Sequence, residues 1–444
     1  MAAATLPSKS TNREKWAWYF YDFGNSAYAA VVLLAVYSAY FKNAVVGGAE
    51  GSRLWGIAVG IAMLVVAVIS PVLGTIADFS GSKKRFLFYF TALAVVFTGM
   101  LFFVQQGTVF IGVLFFVLAE IGYRASQVFY NALLPEIAHP DEMGRVSGNG
   151  WAFGSFGGIV CLLIVLAAIQ LIGGSLVVRL SLVFTAMFFA ASTVPLFLWL
   201  KERAKEQPLP RGESYISLAF KRLAETFREV KNYREFIKFI IAFLIYNDGI
   251  LMTLDFAAIL GAVLFGMGQQ ELIIFMIIVQ ITSVVGAYIF GLVADDWGGK
   301  LSLLIALVLM MIPVVWLYFS TSKLAFYFIG GLAGFALTGV QSVSRSVVGQ
   351  MAPEGKSAEF YGFFSVAGRT SSFIGPTIFG LVVVWATRYY EGLGQAALLA
   401  EQNGHRLALF SILLFLAVGT ILLLFVNVKR AREQAGNGPA SVTE

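Results

Sequence analysis

Twelve stretches of predominantly apolar residues, each of about 20 residues or more, fix the class of structure open to this chain. They fall at 16–41, 54–77, 86–105, 108–133, 146–172, 176–200, 235–265, 269–294, 300–320, 323–350, 358–386 and 405–428. A helix of about 20 residues spans the ~30 Å hydrocarbon core of a bilayer. Within that core every backbone N–H and C=O must be paired, which leaves only helices and closed barrels. Stretches of this length select helices. Composition agrees: 59% of the 444 residues are apolar and 13% charged, against about 25% charged in soluble domains. The expected fold is an all-α polytopic membrane protein with twelve transmembrane helices.

Charge sets the expected orientation. With the N-terminus inside, 22 of the 31 Lys and Arg residues fall on inner segments and 6 on outer ones; Arg124, Arg345 and Arg369 lie within helices. The positive-inside rule then puts both termini in the cytoplasm, and the even helix number fits. The cell membrane, plasma or inner, is the expected location. The basic excess belongs to inner loops and points to no nucleic-acid partner. The stretch 16–41 is too long for a signal h-region and is read as the first transmembrane helix.

Cys161 is the only cysteine, and His139 and His405 read as loop or loop-adjacent residues. No disulfide framework or Cys/His metal centre fits that set. No cofactor is expected. With no phosphate loop of Walker type either, the chain reads as a non-enzyme driven by gradients rather than ATP.

The chain divides into a six-helix bundle at 1–200, a cytoplasmic linker at 201–234, and a second six-helix bundle with a short tail at 235–444. The linker opens with a polar run, Lys205–Gly212. It continues with Ile216, Phe220, Leu223, Phe227 and Val230 close to a 3.6 period, the pattern of an amphipathic helix on the inner membrane face. The halves resemble one another. Gly74-x-x-x-Asp78-x-x-Gly81 returns as Gly291-x-x-x-Asp295-x-x-Gly298, and Pro135-Glu136 as Pro353-Glu354. Such repeats are expected to carry their substrate site where they meet, near the midplane.

Polar residues interrupt the apolar stretches. The run Tyr21–Tyr28 reads Y-D-F-G-N-S-A-Y and clusters Asp22, Asn25, Ser26 and Tyr28 on one side of a helix. An Asp at membrane depth costs on the order of 2.5–3.5 kcal/mol, so such residues face a bundle interior or a watery cavity. Glu120 and Arg124 share a face at i, i+4, and Gln127 and Asn131 continue it. Asn247 and Asp248 lie near the middle of the seventh stretch, with Asp255 two turns on. Arg345 sits near an inner end where snorkelling is open to it, whereas Arg369 is too deep to snorkel easily. Gly150, Gly154 and Gly158 form overlapping G-x-x-x-G steps, suited to close packing of a neighbouring helix.

The loop Gly74-Thr-Ile-Ala-Asp78-Phe-Ser-Gly81-Ser-Lys83-Lys84-Arg85 resembles the major facilitator superfamily signature G-x-L-A-D-x-x-G-R-K. It departs at Ser82, which stands where the signature has a base. The expected gating loop comprises Gly74, Asp78, Gly81, Lys83, Lys84 and Arg85. Asp78 would accept from a neighbouring helix N-terminus or pair with a base, as a latch. The second copy, around Asp295, keeps only Lys300 and is expected to be weaker. Y-D-F-G-N-S-A at Tyr21–Ala27, N-A-L-L-P-E-I at Asn131–Ile137, the Gly-rich run Gly148–Gly158 and Phe363–Pro376 are similar to one branch. This is the "unknown major facilitator" family, related to the vacuolar amino-acid effluxers of fungi.

The resemblance implies a secondary transporter working by alternating access, with helices one, four, seven and ten lining the cavity. It implies a small polar metabolite as substrate, an amino acid by analogy. The substrate-binding set would be Asp22, Asn25, Tyr28, Arg124, Gln127, Asn247, Asp248 and Arg369. Arg124 or Arg369 would take a carboxylate and Asp22 or Asp248 an amino group. Proton coupling would fall to Glu120, Asp248 or Asp22. Three other readings stand beside this one. Glu120–Arg124 is a structural ion pair; the chain exports amphipathic compounds or lysolipids; or it is a substrate sensor on a carrier fold, signalling through 214–234. The expected partners are membrane lipid, a small-molecule substrate and protons, and the expected state is a monomer.

Overall fold

The computed structural model describes residues 10–46, 48–204, 206–207, 215, 221 and 233–436. Among the described residues, twelve helices are long and apolar enough to cross a membrane: α1 (Asn12–Val46), α2 (Leu54–Ser80), α3 (Lys83–Phe103), α4 (Val109–Ile137), α5 (Met143–Ile172), α6 (Gly174–Trp199), α7 (Arg234–Ala257), α8 (Ile274–Trp297), α9 (Gly299–Phe319), α10 (Lys323–Met351), α11 (Ser357–Gly392) and α12 (Ala397–Leu424). A short α13 (Val428–Gly436) follows. Among the described residues there is no strand. Apart from Tyr215 and Lys221, the amphipathic segment expected at 214–234 lies outside the described residues up to Tyr233.

Gly173 and Gly174 at φ +73° and +85° make the tight α5–α6 turn that their spacing predicts. The start of α12 differs from expectation. Residues 397–404 are mostly good helix formers and follow an extended Ala396, so the helix begins ahead of the apolar run. His405 is therefore a buried helical residue, with its Nδ1 2.9 Å from the Glu401 carbonyl oxygen, and not a loop residue.

By backbone contacts the chain forms two compact units. Unit 1 is Met1–Phe227 with Ala352–Phe363, and unit 2 is Arg228–Met351 with Phe364–Glu444. The first turn of α11, which a division at the linker assigns to the second half, thus groups with unit 1. The tie is Asp78, which accepts hydrogen bonds from the Ala358 and Glu359 N–H groups at 3.1 and 2.8 Å.

In unit 1, α1 packs on α5 and α6. A Cβ at Gly157 would stand 2.3 Å from the Phe23 carbonyl oxygen, and one at Gly154 would stand 3.0 Å from Asp22 Cγ and Ser26 Oγ. The glycine steps of α5 therefore receive α1 inside the bundle. Trp18 stacks on Tyr130 with ring centroids 4.4 Å apart, and its Nε1–H donates to the Tyr130 carbonyl at 3.0 Å. Beyond Tyr28, α1 continues as a π-helical run, Ala29–Ala35, a spacing that recurs at functional sites. In unit 2, α8 and α10 approach as closely: a Cβ at Gly286 would lie 2.1 Å from the Phe335 carbonyl oxygen.

The duplication read from sequence has physical counterparts. In unit 1 Glu14, at the start of α1, accepts from the Lys201 N–H just past α6 at 3.2 Å. In unit 2 Glu235, at the start of α7, accepts from the Asn427 N–H just past α12 at 2.6 Å. Lys84 Nζ donates to the Leu200 carbonyl at 2.6 Å, and Lys300 Nζ to the Leu424 carbonyl at 2.7 Å. Both motif loops turn at a left-handed glycine, Gly81 (φ +54°) and Gly298 (φ +90°).

Candidate functional site

Unit 1 holds a polar cluster between α1 and α4. Glu120 is fully buried, and its Oε1 accepts from Arg124 Nε at 2.7 Å; the Arg124 side chain is 27% exposed. The two sit one helical turn apart, as i, i+4 spacing predicts. The Arg124 guanidinium lies 5.2 Å from the centre of the Tyr123 ring, which stacks on Tyr28 at 4.5 Å. The Tyr28 phenol neighbours the Glu120 carboxylate. Neither Tyr28 Oη nor Glu120 Oε2 makes a hydrogen bond among the described residues, and nor does Asn25 Oδ1. Gln127 is half-buried beyond this group. Asp22 is buried, with its carboxyl carbon against the glycine face of α5.

Unit 2 holds a second cluster. Asp248 Oδ1 accepts from the Gly375 N–H at 2.7 Å, one residue before the Pro376 that interrupts the ladder of α11. Its Oδ2 is buried and makes no hydrogen bond among the described residues. Asn247 Oδ1 accepts from Gln341 Nε2 at 2.9 Å, and Tyr246 shares a hydrogen bond with Ser344 at 2.7 Å. Arg369 is half-buried and donates from Nε and a terminal nitrogen to Ser365 Oγ at 3.1 and 2.8 Å. Arg345 is buried rather than displayed at a surface, and Asp255 is exposed.

The motif loop forms a third constellation, in unit 1. Asp78 and Lys83, both 2% exposed, pair at 3.1 Å, and Lys83 Nζ also pairs with Glu136 Oε1 at 2.8 Å. Lys83 Nζ donates to Ser357 Oγ at 2.8 Å, and that hydroxyl donates to the Ala132 carbonyl at 2.9 Å. Gly74 is forced by contact: a Cβ there would lie 2.5 Å from the Ala358 carbonyl oxygen. Asp78 thus takes both partners expected of it, a helix N-terminus and a base. In the second copy Lys300 is engaged by a carbonyl through an exposed bond.

The sequence does not single out Gln341 and Ser344 of α10, nor Glu136 and Glu202 as partners of the motif loop. Repetition of Pro-Glu at 135–136 and 353–354 was the available signal for Glu136. Nothing local marks Glu202, whose carboxylate accepts from the Lys83 and Lys84 N–H groups at 2.6 and 3.1 Å. A cavity of about 650 Å³ lies beside it, lined in part by Ser80, Arg85, Phe88, Phe197 and Glu206. Among the described residues no group of three or more His, Cys, Asp or Glu is arranged to hold a metal ion.

A family model described as vacuole effluxer Atg22 like matches residues 55–436. The uncharacterized MFS-type transporter YxiO of Bacillus subtilis (strain 168) is 28% identical over 431 residues, which cover 94% of this chain and 96% of that protein. The autophagy-related protein 22 of Yarrowia lipolytica is 24% identical over 345 residues, 71% of this chain and 56% of that longer protein. Among solved structures, a bacterial homologue of the iron transporter ferroportin in an outward-facing state matches with a TM-score of 0.69 at 13% identity. The match covers 93% of this chain and 99% of that one. The proton:xylose symporter XylE matches with a TM-score of 0.66 at 14% identity, over 93% and 94% of the two chains. At such identities these structures speak for the fold alone. The chain belongs to the vacuole effluxer Atg22-like family and is a multi-pass membrane transporter of the major facilitator fold.

Proposed function

We propose that this transporter moves a small zwitterion of the amino-acid class and couples its movement to protons. The observation that carries the reading is the Glu120–Arg124 pair. A fully buried carboxylate has one oxygen on the guanidinium and the other without a hydrogen bond among the described residues, while the arginine stays partly exposed. A partly exposed guanidinium beside an acid suits a substrate carboxylate, which it holds as a planar fork. An unsatisfied carboxylate oxygen in a dry place suits a group that gains and loses a proton. Asp248 has the same character in unit 2: one oxygen on a backbone N–H, the other buried without a hydrogen bond. Asp22, Asn25, Tyr28, Gln127, Asn247 and Arg369 complete the polar residues proposed to meet substrate. The charge asymmetry of the loops supports cytoplasmic termini in a cell membrane.

Gradient-driven uptake in proteoliposomes tests the coupling. Glu120→Gln and Asp248→Asn should keep substrate counterflow, and at least one should lose accumulation against a gradient. Full coupled transport in both would remove the carrier role and leave Glu120–Arg124 as a packing pair.

A further inference from the structure

Past α6 the chain does not leave the bundle at once. Residues 200–204 and 206–207 form a strap across the ends of four helices of unit 1. The Lys201 N–H donates to Glu14 Oε1 of α1 at 3.2 Å, and the Arg203 guanidinium pairs with Glu14 at 2.9 Å. The Arg203 and Ala204 N–H groups donate to Glu136 Oε2 of α4 at 2.6 and 3.3 Å. The Gln207 N–H donates to the Phe79 carbonyl of α2 at 2.9 Å. Glu202 gives the strap its hold on α3. Ser82, at the N-cap position of α3, makes no side-chain cap. The open N–H groups of Lys83 and Lys84 are taken by the two oxygens of Glu202 instead, a cap supplied in trans.

The capped residue is the one that completes the latch. Lys83 is held through its backbone by Glu202, and its ammonium reaches Asp78, Glu136 and Ser357. Glu136 in turn divides its two oxygens between that ammonium and the strap. The strap therefore grips Lys83 from two sides, and Asp78 beside Lys83 holds the Ala358 and Glu359 N–H groups at the start of α11.

We propose that Glu202 is a positioning residue of the transport cycle: by capping α3 it seats Lys83 against Asp78, so that the linker strap sets how firmly the first turn of α11 is held. The strap is also sensitive to pH. Burial pushes the Glu202 carboxyl up to about 7, although the Lys84 and Lys83 N–H groups oppose the shift. The groups around it are Lys83, Lys84, Arg85 and Tyr89 of α3, Glu136 of α4 and Glu206 of the strap, while the neighbouring Arg203 is paired with Glu14 of α1. The neighbouring cavity, which Glu202 lines, gives protons a route to it. Because the seated carboxyl holds its proton more tightly than a released one, seating tightens as pH falls through about 7 and loosens as pH rises.

Amide hydrogen exchange on the full-length protein in detergent tests this, read as protection corrected for intrinsic rate. Glu202→Ala should lower protection about fivefold at Lys83–Lys84. It should lower protection in parallel at Ala358–Glu359, with a peptide in α7 unchanged. Wild-type protection at both pairs should rise from pH 8 to pH 6, and Glu202→Gln should flatten that profile. Glu206→Gln, on the same strap, should behave as wild type. The proposal is overturned if Glu202→Ala affects Lys83–Lys84 alone, if the loss extends uniformly to α7, or if Glu202→Gln keeps the wild-type pH profile.

Discussion

Lys83 shows how much one side chain carries in this molecule. Its side chain is 2% exposed, and its ammonium pairs with two acids, Asp78 and Glu136. Removing it leaves the buried Asp78 and the largely covered Glu136 without their cation, so Lys83→Ala should destabilise unit 1 by about 3–5 kcal/mol. Lys300 donates only to a carbonyl through an exposed bond, and Lys300→Ala should change stability by less than about 0.5 kcal/mol. Thermal unfolding of the two variants in one detergent compares them directly. At this scale the motif loop was legible, because glycine, aspartate and base at fixed spacing carry their own chemistry. The partners were less so: Glu136 sits 53 residues from Lys83 and Ser357 sits 274 away, and one sequence does not reveal such pairings.

Helices here meet through glycine, and the spacing of glycines on α5 made the α1–α5 contact readable as close packing, though not which helix would fill it. Gly157→Ala and Gly286→Ala each put a Cβ within 2.3 Å of a carbonyl oxygen on a neighbouring helix. Each should cost about 1–3 kcal/mol as the helices move apart. Gly60 has nothing within 4 Å of its added Cβ, so Gly60→Ala should be neutral or stabilising by up to about 1 kcal/mol. Melting temperatures of the three variants check the contrast. The strap formed by residues 200–204 and 206–207 was not legible in the sequence. Its polar, irregular composition matched a plain linker, and the glutamates that hold it belong to α1 and α4. It also brings a pH dependence. Glu202 sits at about 7, above its ordinary 4.5. Its contribution to stability is complete below about 4.5 and is lost as pH rises through about 7. Glu202→Gln should remove that part of the decline in a series of melting curves from pH 5 to pH 8.

The whole molecule was the most legible level, since a bilayer admits few structures and twelve apolar stretches of the right length leave one class. Sequence also marked the intramembrane residues Glu120, Arg124 and Asp248, because a charge at that depth has to be explained. It did not mark the hydrogen-bonding of α10, Gln341 on Asn247 and Ser344 on Tyr246, because uncharged polar residues cost little and stand out less. Cargo is set by the arrangement of a few such groups and not by the fold. The direct measurement is a thermal-shift panel of amino acids and other small metabolites against the purified protein and Arg124→Ala. A cargo at about 100 times its Kd should stabilise the native state by about 2.7 kcal/mol. At least one amino acid should raise the melting temperature of the wild type, and Arg124→Ala should abolish the shift. Stabilisation by lysolipids or apolar cations alone, or an amino-acid shift that survives in Arg124→Ala, would contradict it.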